Sequence, residues 1–242
     1  MDGVQDQDIE LERQAKLTSP AEWLNLASAT YFLANIILVD LLSKNIDSDA
    51  VQSIMRAYHE RLIEMCEGQH QDITSDDFSL QDYLSMLRKK SGSFFAIACY
   101  AGARLATDNS RYLERLSEFG TRLGVMVQIL DDLEDWKTLE AAESARFSKI
   151  SLKKSLPALY TLEVLPEKER SAFQEALDRI SDQPEAKHIV LEWANRSGAA
   201  VYTMALLTQE AESAIDMLQD DFFLMYPKEK LIAIVRRFMG EE

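Results

Sequence analysis

No stretch of the chain alternates apolar and polar residues over the length of a strand; apolar-rich runs are parted instead by Pro, Gly and short polar clusters. That pattern predicts an all-α fold, an array of long helices. "SPAE" at 19–22 is a start signal, with Ser19 as N-cap, Pro20 at the first helical position and Glu22 closing a capping box. The helix it opens is expected to run to about Lys44. Its middle, Trp23 to Val39, carries no charge, contains Asn25 and Asn35, and runs into Asp40. It falls short of the ~20 apolar residues that cross a bilayer and predicts a buried core helix. "NIDSDA" at 45–50 supplies capping acids for a second helix, to about Gln71. Ser79 caps a third, from Leu80 to about Ala106, and "TDNS" at 107–110 turns the chain into a long helix over Tyr112 to about Lys137. Residues 138–151 read as an irregular charged loop. Helix is expected again near Ser155, and Pro166, Pro184 and Pro227 each open another.

The chain has 242 residues, 47% of them hydrophobic, enough for one sizeable core. Its net charge of −15 repels nucleic acid and anionic lipid, so neither is an expected partner, and no membrane span is expected. A phosphorylated substrate would be repelled too unless metal ions screened the acids. Cys66 and Cys99 form no metal or redox motif, and residues 1–16 are acidic and polar, unlike a signal peptide. A reducing cytoplasm fits.

Charge and pattern collide at "GVMVQILDDLEDW", Gly124 to Trp136, where an apolar helix runs into Asp131, Asp132, Glu134 and Asp135. On a helix Asp131 and Asp135 share a face, Asp132 lies beside them, and Gln128 stands one turn earlier on the same side. Like charges at this spacing repel, and negative charge near a helix C-terminus opposes the macrodipole. Both penalties are relieved if the carboxylates hold a hard divalent cation such as Mg²⁺, which keeps waters and substrate phosphates in its shell. The alternative is a solvated acidic helix end. A second acid cluster, "DGVQDQD" at 2–8, places Asp2 and Asp6 four apart. "GQHQDI" at 68–73 offers Gln69 and Asp72. In "RKKSGSFFAIACYAGARLA" at 88–106, Lys90 precedes the small residues Ser91, Gly92 and Ser93, which admit close approach.

These pieces, in this order, resemble the trans-isoprenyl diphosphate synthases, also called polyprenyl synthetases. Gly124, Gln128, Asp131, Asp132 and Asp135 match that family's second aspartate-rich motif, G-x-x-x-Q-x-x-D-D-x-x-D. "GQHQDI" is similar to its G-Q-x-x-D-[LI], and "KSGSFFAIACYAGARLA" to its lysine-threonine motif, with Ser91 for Thr. "LKKSLPALYTL" at 152–162 resembles G-K-x-T-L-P, with Lys153 at the family lysine. "DGVQD" resembles the first D-D-x-x-D, with Gly3 for the second Asp. The resemblance implies an isoprenoid-synthase helical array around a central cavity, one domain over 1–242, truncated at its N-terminus. It implies Mg²⁺-dependent condensation of an allylic prenyl diphosphate with isopentenyl diphosphate. Asp2, Asp6, Asp131, Asp132 and Asp135 would hold metal. Lys90, Lys153, Gln69, Asp72 and Arg13 would bind substrate. Asp131, Asp132, Lys90 and Gln128 would serve catalysis. Phe94, Phe95, Val125, Met126 and Ile129 are candidates for core packing or for lining the cavity. The chain departs from the family in Gly3, in the absent Arg pair after the first motif, where Arg13 alone remains nearby, and in a shortened loop after Asp135. Those departures leave room for a non-catalytic or degenerate subunit. "GQHQDI", the missing Arg pair and "SLKKSLP" also resemble prenyltransferases that modify the tryptophan of bacterial competence pheromones. A homodimer, or a hetero-oligomer with a related subunit, is implied.

Overall fold

Ser19 opens the first helix as its sequence demands. Its hydroxyl accepts from the Glu22 N–H while Glu22 reaches back to the Ser19 N–H, and α1 then runs Pro20–Asp40 into a 3-10 turn, Leu41–Ser43. The computed structural model describes residues 19–75, 78–141, 152–180, 183–219 and 228–241. Asp47 caps α2 (Ser48–Thr74) by accepting from the Ala50 N–H at 3.0 Å. Ser79 and Asp82 form a second capping box at the start of α3 (Leu80–Leu87). A wide π turn, Arg88–Gly92, joins α3 to α4 (Ser93–Arg104). The longest helix, α5, spans Ser110–Ala141, past the expected end at Lys137. Then come α6 (Leu156–Val164), α7 (Glu167–Arg179), α8 (Pro184–Ser197), α9 (Ala199–Gln219) and α10 (Glu229–Phe238). The break between α8 and α9 falls at Gly198, whose φ of 76° is the left-handed cap conformation that favours glycine. No strand occurs among the described residues, so the expected all-α class holds.

Two apolar clusters organise the molecule. One gathers Tyr83, Met86 and Leu87 of α3, Leu123, Met126 and Ile129 of α5, and residues of α6, α9 and α10. The other packs Trp136 and Leu139 at the end of α5 against Leu152, α7 and α8. The helix that carries the acids thus belongs to both. Val125, Met126 and Ile129 are core, Phe95 is half-buried against the core, and Phe94 is 57% exposed.

The expectation for α1 is corrected. None of its residues is buried, and nine large apolar side chains on α1 and the following turn are 42–63% exposed, Phe32, Leu33, Ile36 and Ile37 among them. Its helical stretch, Pro20–Ser43, has mean hydropathy 1.7 and is long and apolar enough to cross a membrane by length and composition. A polar link to α2 is the hydrogen bond between His59 Nε2 and Asn35 Oδ1, 2.9 Å. Apolar residues ring this helix rather than form a stripe, which is the pattern of an interior helix.

Candidate active site

The C-terminal turn of α2, the π turn and the second half of α5 meet because glycine lets them. A Cβ on Gly68 would stand 2.5 Å from the Lys90 backbone nitrogen, and one on Gly124 would overlap the Ser91 carbonyl and the Gly92 Cα. The π turn is therefore pressed between two bare backbones, and widened turns of this kind recur at functional sites. Lys90 then reaches Asp72 at 2.9 Å, with both side chains about 15% exposed (14% and 15%). Ser91 donates to Gln128 Oε1 at 3.1 Å. Motifs separated in sequence by dozens of residues are thus joined in one cluster.

The acids of α5 divide by direction. Asp131 is exposed and Asp135 half-buried. Partial burial, and then the charge of Asp135, hold the Asp131 carboxyl above the usual carboxylate range. Asp132, expected beside them as a metal ligand, turns inward instead. It is 5% exposed, and its Oδ2 accepts from the buried Tyr83 hydroxyl and from the Leu156 N–H, the latter at 2.6 Å. Burial pushes it up to about 7, against the pull of Tyr83, Leu156 and Gln128, each of which favours the ionised form. Burial and the adjacent carboxylate push the Tyr83 phenol well above its ordinary value, so the proton of the pair stays on the tyrosine oxygen.

The two lysines of "LKKS" also part. Lys153 pairs with Asp178 of α7 and not with Asp72. Lys154 reaches the Asp72 carbonyl, stands 3.8 Å from the Asp72 carboxylate and lies over the Phe78 ring. A tether fixes this turn: Trp136 Nε1 donates to Ser155 Oγ at 2.7 Å, and Ser155 donates to the Leu152 carbonyl at 2.7 Å. Gln69 Nε2 is buried and has no partner among the described residues, a donor held in reserve. Tyr83 and Lys154 join the site without having been singled out in the sequence, and Ser91, noted there for its size, joins it through its hydroxyl. Asp2, Asp6 and Arg13 lie outside the described residues.

Two grooves, of about 310 and 680 Å³, open between α2, α4 and α5. In the larger one Arg61, Arg88 and Lys89 are paired with Glu64, Glu118 and Glu67, and it touches none of Asp131, Asp132, Glu134 and Asp135. Among the described residues no three His, Cys, Asp or Glu side chains converge to enclose a metal by themselves. Asp131 and Asp135 nonetheless suit Mg²⁺ chemically. They are hard oxygen donors one turn apart whose mutual repulsion a cation relieves, and one or two carboxylates suffice for that ion.

An all-helical array in which two lysines converge on Asp72 beside the acid-bearing helix α5 is thus in hand. The chain belongs to the polyprenyl synthetase family, whose model matches residues 20–193. It is 28% identical over 193 residues to a geranylgeranyl diphosphate synthase of Sulfolobus acidocaldarius, covering 76% of this chain and 58% of the relative. It is 30% identical over 98 residues to a short chain isoprenyl diphosphate synthase of Methanocaldococcus jannaschii, covering 40% of this chain and 30% of the relative. The chain thus matches 30% and 58% of the lengths of these two curated relatives. The fold is similar to a polyprenyl synthetase from Streptomyces coelicolor, with a TM-score of 0.75 at 22% identity over 92% of this chain and 68% of that one. It is also similar to a geranylgeranyl pyrophosphate synthetase from Pyrococcus horikoshii, with a TM-score of 0.69 at 20% identity over 82% and 61%.

Proposed function

We propose that this protein is a prenyltransferase that joins an allylic prenyl diphosphate to isopentenyl diphosphate and releases diphosphate. The observation that carries the proposal is the meeting of Lys90, Asp72, Lys154 and Gln128 with the acid-bearing turn of α5. Relatives named isoprenyl and geranylgeranyl diphosphate synthases support it. In the reaction the allylic C–O bond breaks and its electron pair leaves with the diphosphate. The double bond of isopentenyl diphosphate supplies the electrons of the new C–C bond, and one proton departs from the carbon next to it. Asp131 and Asp135, with Asp2 and Asp6, would hold Mg²⁺, which when bound would neutralise charge on the leaving group. Lys90 and Lys154, both held to Asp72, add point charges, with Lys153 and Arg13 as further candidates. Asp72 holds both lysines in place until an anion competes for them. Gln69 contributes its buried amide, and Gln128, fixed by Ser91, orients the bound chain. The cationic character that develops as diphosphate leaves is shielded from water by the apolar flank of α5. Incubation with MgCl₂, labelled isopentenyl diphosphate and an allylic diphosphate should release diphosphate and lengthen the prenyl chain. Wild-type protein that does neither would remove the proposal.

We propose further that a second copy covers α1. Its exposed apolar face suits the roughly 800 Å² per partner that a stable dimer buries. Asn25, Asn35, the Glu22 cap and the net charge of −15 argue for a protein partner rather than lipid. Sedimentation should give twice the 27.6 kDa chain mass, and Phe32→Asp with Ile36→Asp should give monomer. A wild-type monomer at micromolar concentration would refute the pairing. The free thiols Cys66 and Cys99 suit a reducing compartment, and we place the protein in the cytoplasm.

A further inference from the structure

Tyr83 is 2% exposed and sits in the apolar cluster with Met86, Leu87, Leu123, Met126 and Ile129. A phenylalanine would fill that space without a polar atom to satisfy. The hydroxyl it carries instead is aimed at Asp132 Oδ2. The same carboxylate oxygen takes the Leu156 N–H at 2.6 Å. That amide is one of the orphan donors at the start of α6, and Pro157, the next residue, has no N–H to offer. Ser155 stands at the N-cap but makes no capping bond; its Oγ accepts from Trp136 Nε1 and donates to the Leu152 carbonyl instead. Asp132 therefore caps α6 from another helix, placing negative charge where the helix dipole favours it.

Three elements meet at this oxygen, and each carries a group of the candidate site. From α3 the chain leads into the π turn and Lys90. On α5 the neighbouring residue is Asp131. Two residues before Leu156 stands Lys154, which reaches Asp72.

We propose that Tyr83 is a positioning residue, which locks the Asp132 carboxylate onto the α6 N-terminus and so fixes Lys90, Asp131 and Lys154 about one anion. The role rests on the prenyl-transfer proposal above. A displacement of about 1 Å in such a constellation costs roughly a hundredfold, whereas a tyrosine that only fills the core would affect stability alone.

The test compares Tyr83→Phe with Leu177→Ala, a substitution in the second core, on α7, chosen to destabilise. Two quantities are read on the full chain: deuterium uptake of the peptide spanning 152–160, and calorimetric affinity for inorganic pyrophosphate in MgCl₂. For Tyr83→Phe the Leu156 amide should exchange at least about tenfold faster and pyrophosphate affinity should fall roughly tenfold or more. Leu177→Ala, despite a lower melting temperature, should leave pyrophosphate affinity at its wild-type value; its cluster includes Leu152 and Ala158, so exchange at 152–160 is read for Tyr83→Phe alone. Should Tyr83→Phe fail to fold, Asp132→Asn, which keeps the shape but not the charge, is expected to weaken pyrophosphate in the same way. A Tyr83→Phe protein with wild-type exchange at Leu156, or with wild-type pyrophosphate affinity, overturns the positioning role. So does a Leu177→Ala protein that loses affinity equally. Wild-type protein that binds no pyrophosphate at all instead overturns the prenyl-transfer proposal on which this role depends.

Discussion

Asp131→Ala should slow diphosphate release by roughly a thousandfold, about 4 kcal/mol of transition-state stabilisation, while Glu134→Ala should change it less than about twofold. The contrast follows from where the acids point. Asp131 has an exposed side chain one turn from Asp135, and its carboxyl is held above the usual range by partial desolvation and by that neighbour. The metal it is proposed to hold acts where negative charge develops on the leaving group, the term that dominates such reactions. Glu134 belongs to the same run of acids, yet its side chain is 72% exposed and lies 3.7 Å from Lys137 on the next turn. An exposed pair of this kind contributes little. Steady-state release assays on the two variants, with melting curves to show that both fold, measure the difference. Equal losses would mean that net negative charge, not position, is what matters.

Gly124→Ala should destabilise the protein by about 3 kcal/mol or more, a drop of roughly 6–12 °C in Tm for a chain of this size. The added methyl group would overlap the Ser91 carbonyl and the Gly92 Cα, which are backbone atoms. They cannot retreat, because the other side of the same turn leans on Gly68, where a Cβ would already crowd Lys90 N at 2.5 Å. The comparison is Gly102→Ala, where nothing lies within 4 Å. There alanine should be neutral or stabilising by up to about 1 kcal/mol, as expected for an open helical position. If thermal denaturation showed both variants within 1–2 °C of wild type, the π turn would not be wedged as described.

Much of this was legible in the chain because the signals are local. The Ser19 and Ser79 capping boxes form as their spacing dictates, and the helix breaks at Pro166 and Pro184 fall where proline puts them. The break that Gly198 makes between α8 and α9 is not predicted by the pattern reading, although a glycine in the left-handed cap conformation is what ends α8. What escaped depends on partners distant in sequence. The inward turn of Asp132 needs Tyr83 and the Leu156 amide, 49 and 24 residues away. The choice of Lys154 over Lys153 is made by a turn tethered through Trp136. The π turn at "RKKSG" has no composition of its own; it exists because Gly68 and Gly124 make room for it. The exposure of α1 could not be read at all. A helix apolar on every side asks for neighbours, and its own residues do not say in which molecule they lie.

The acids of α5 are proposed to hold an allylic diphosphate through a divalent cation. Titrating the full chain calorimetrically with a non-hydrolysable allylic diphosphate analogue, with MgCl₂ and then with EDTA, tests it most directly. Saturable binding that requires the metal and is lost in Asp131→Ala is the predicted result. Absence of binding, or binding that is indifferent both to EDTA and to Asp131, would contradict it.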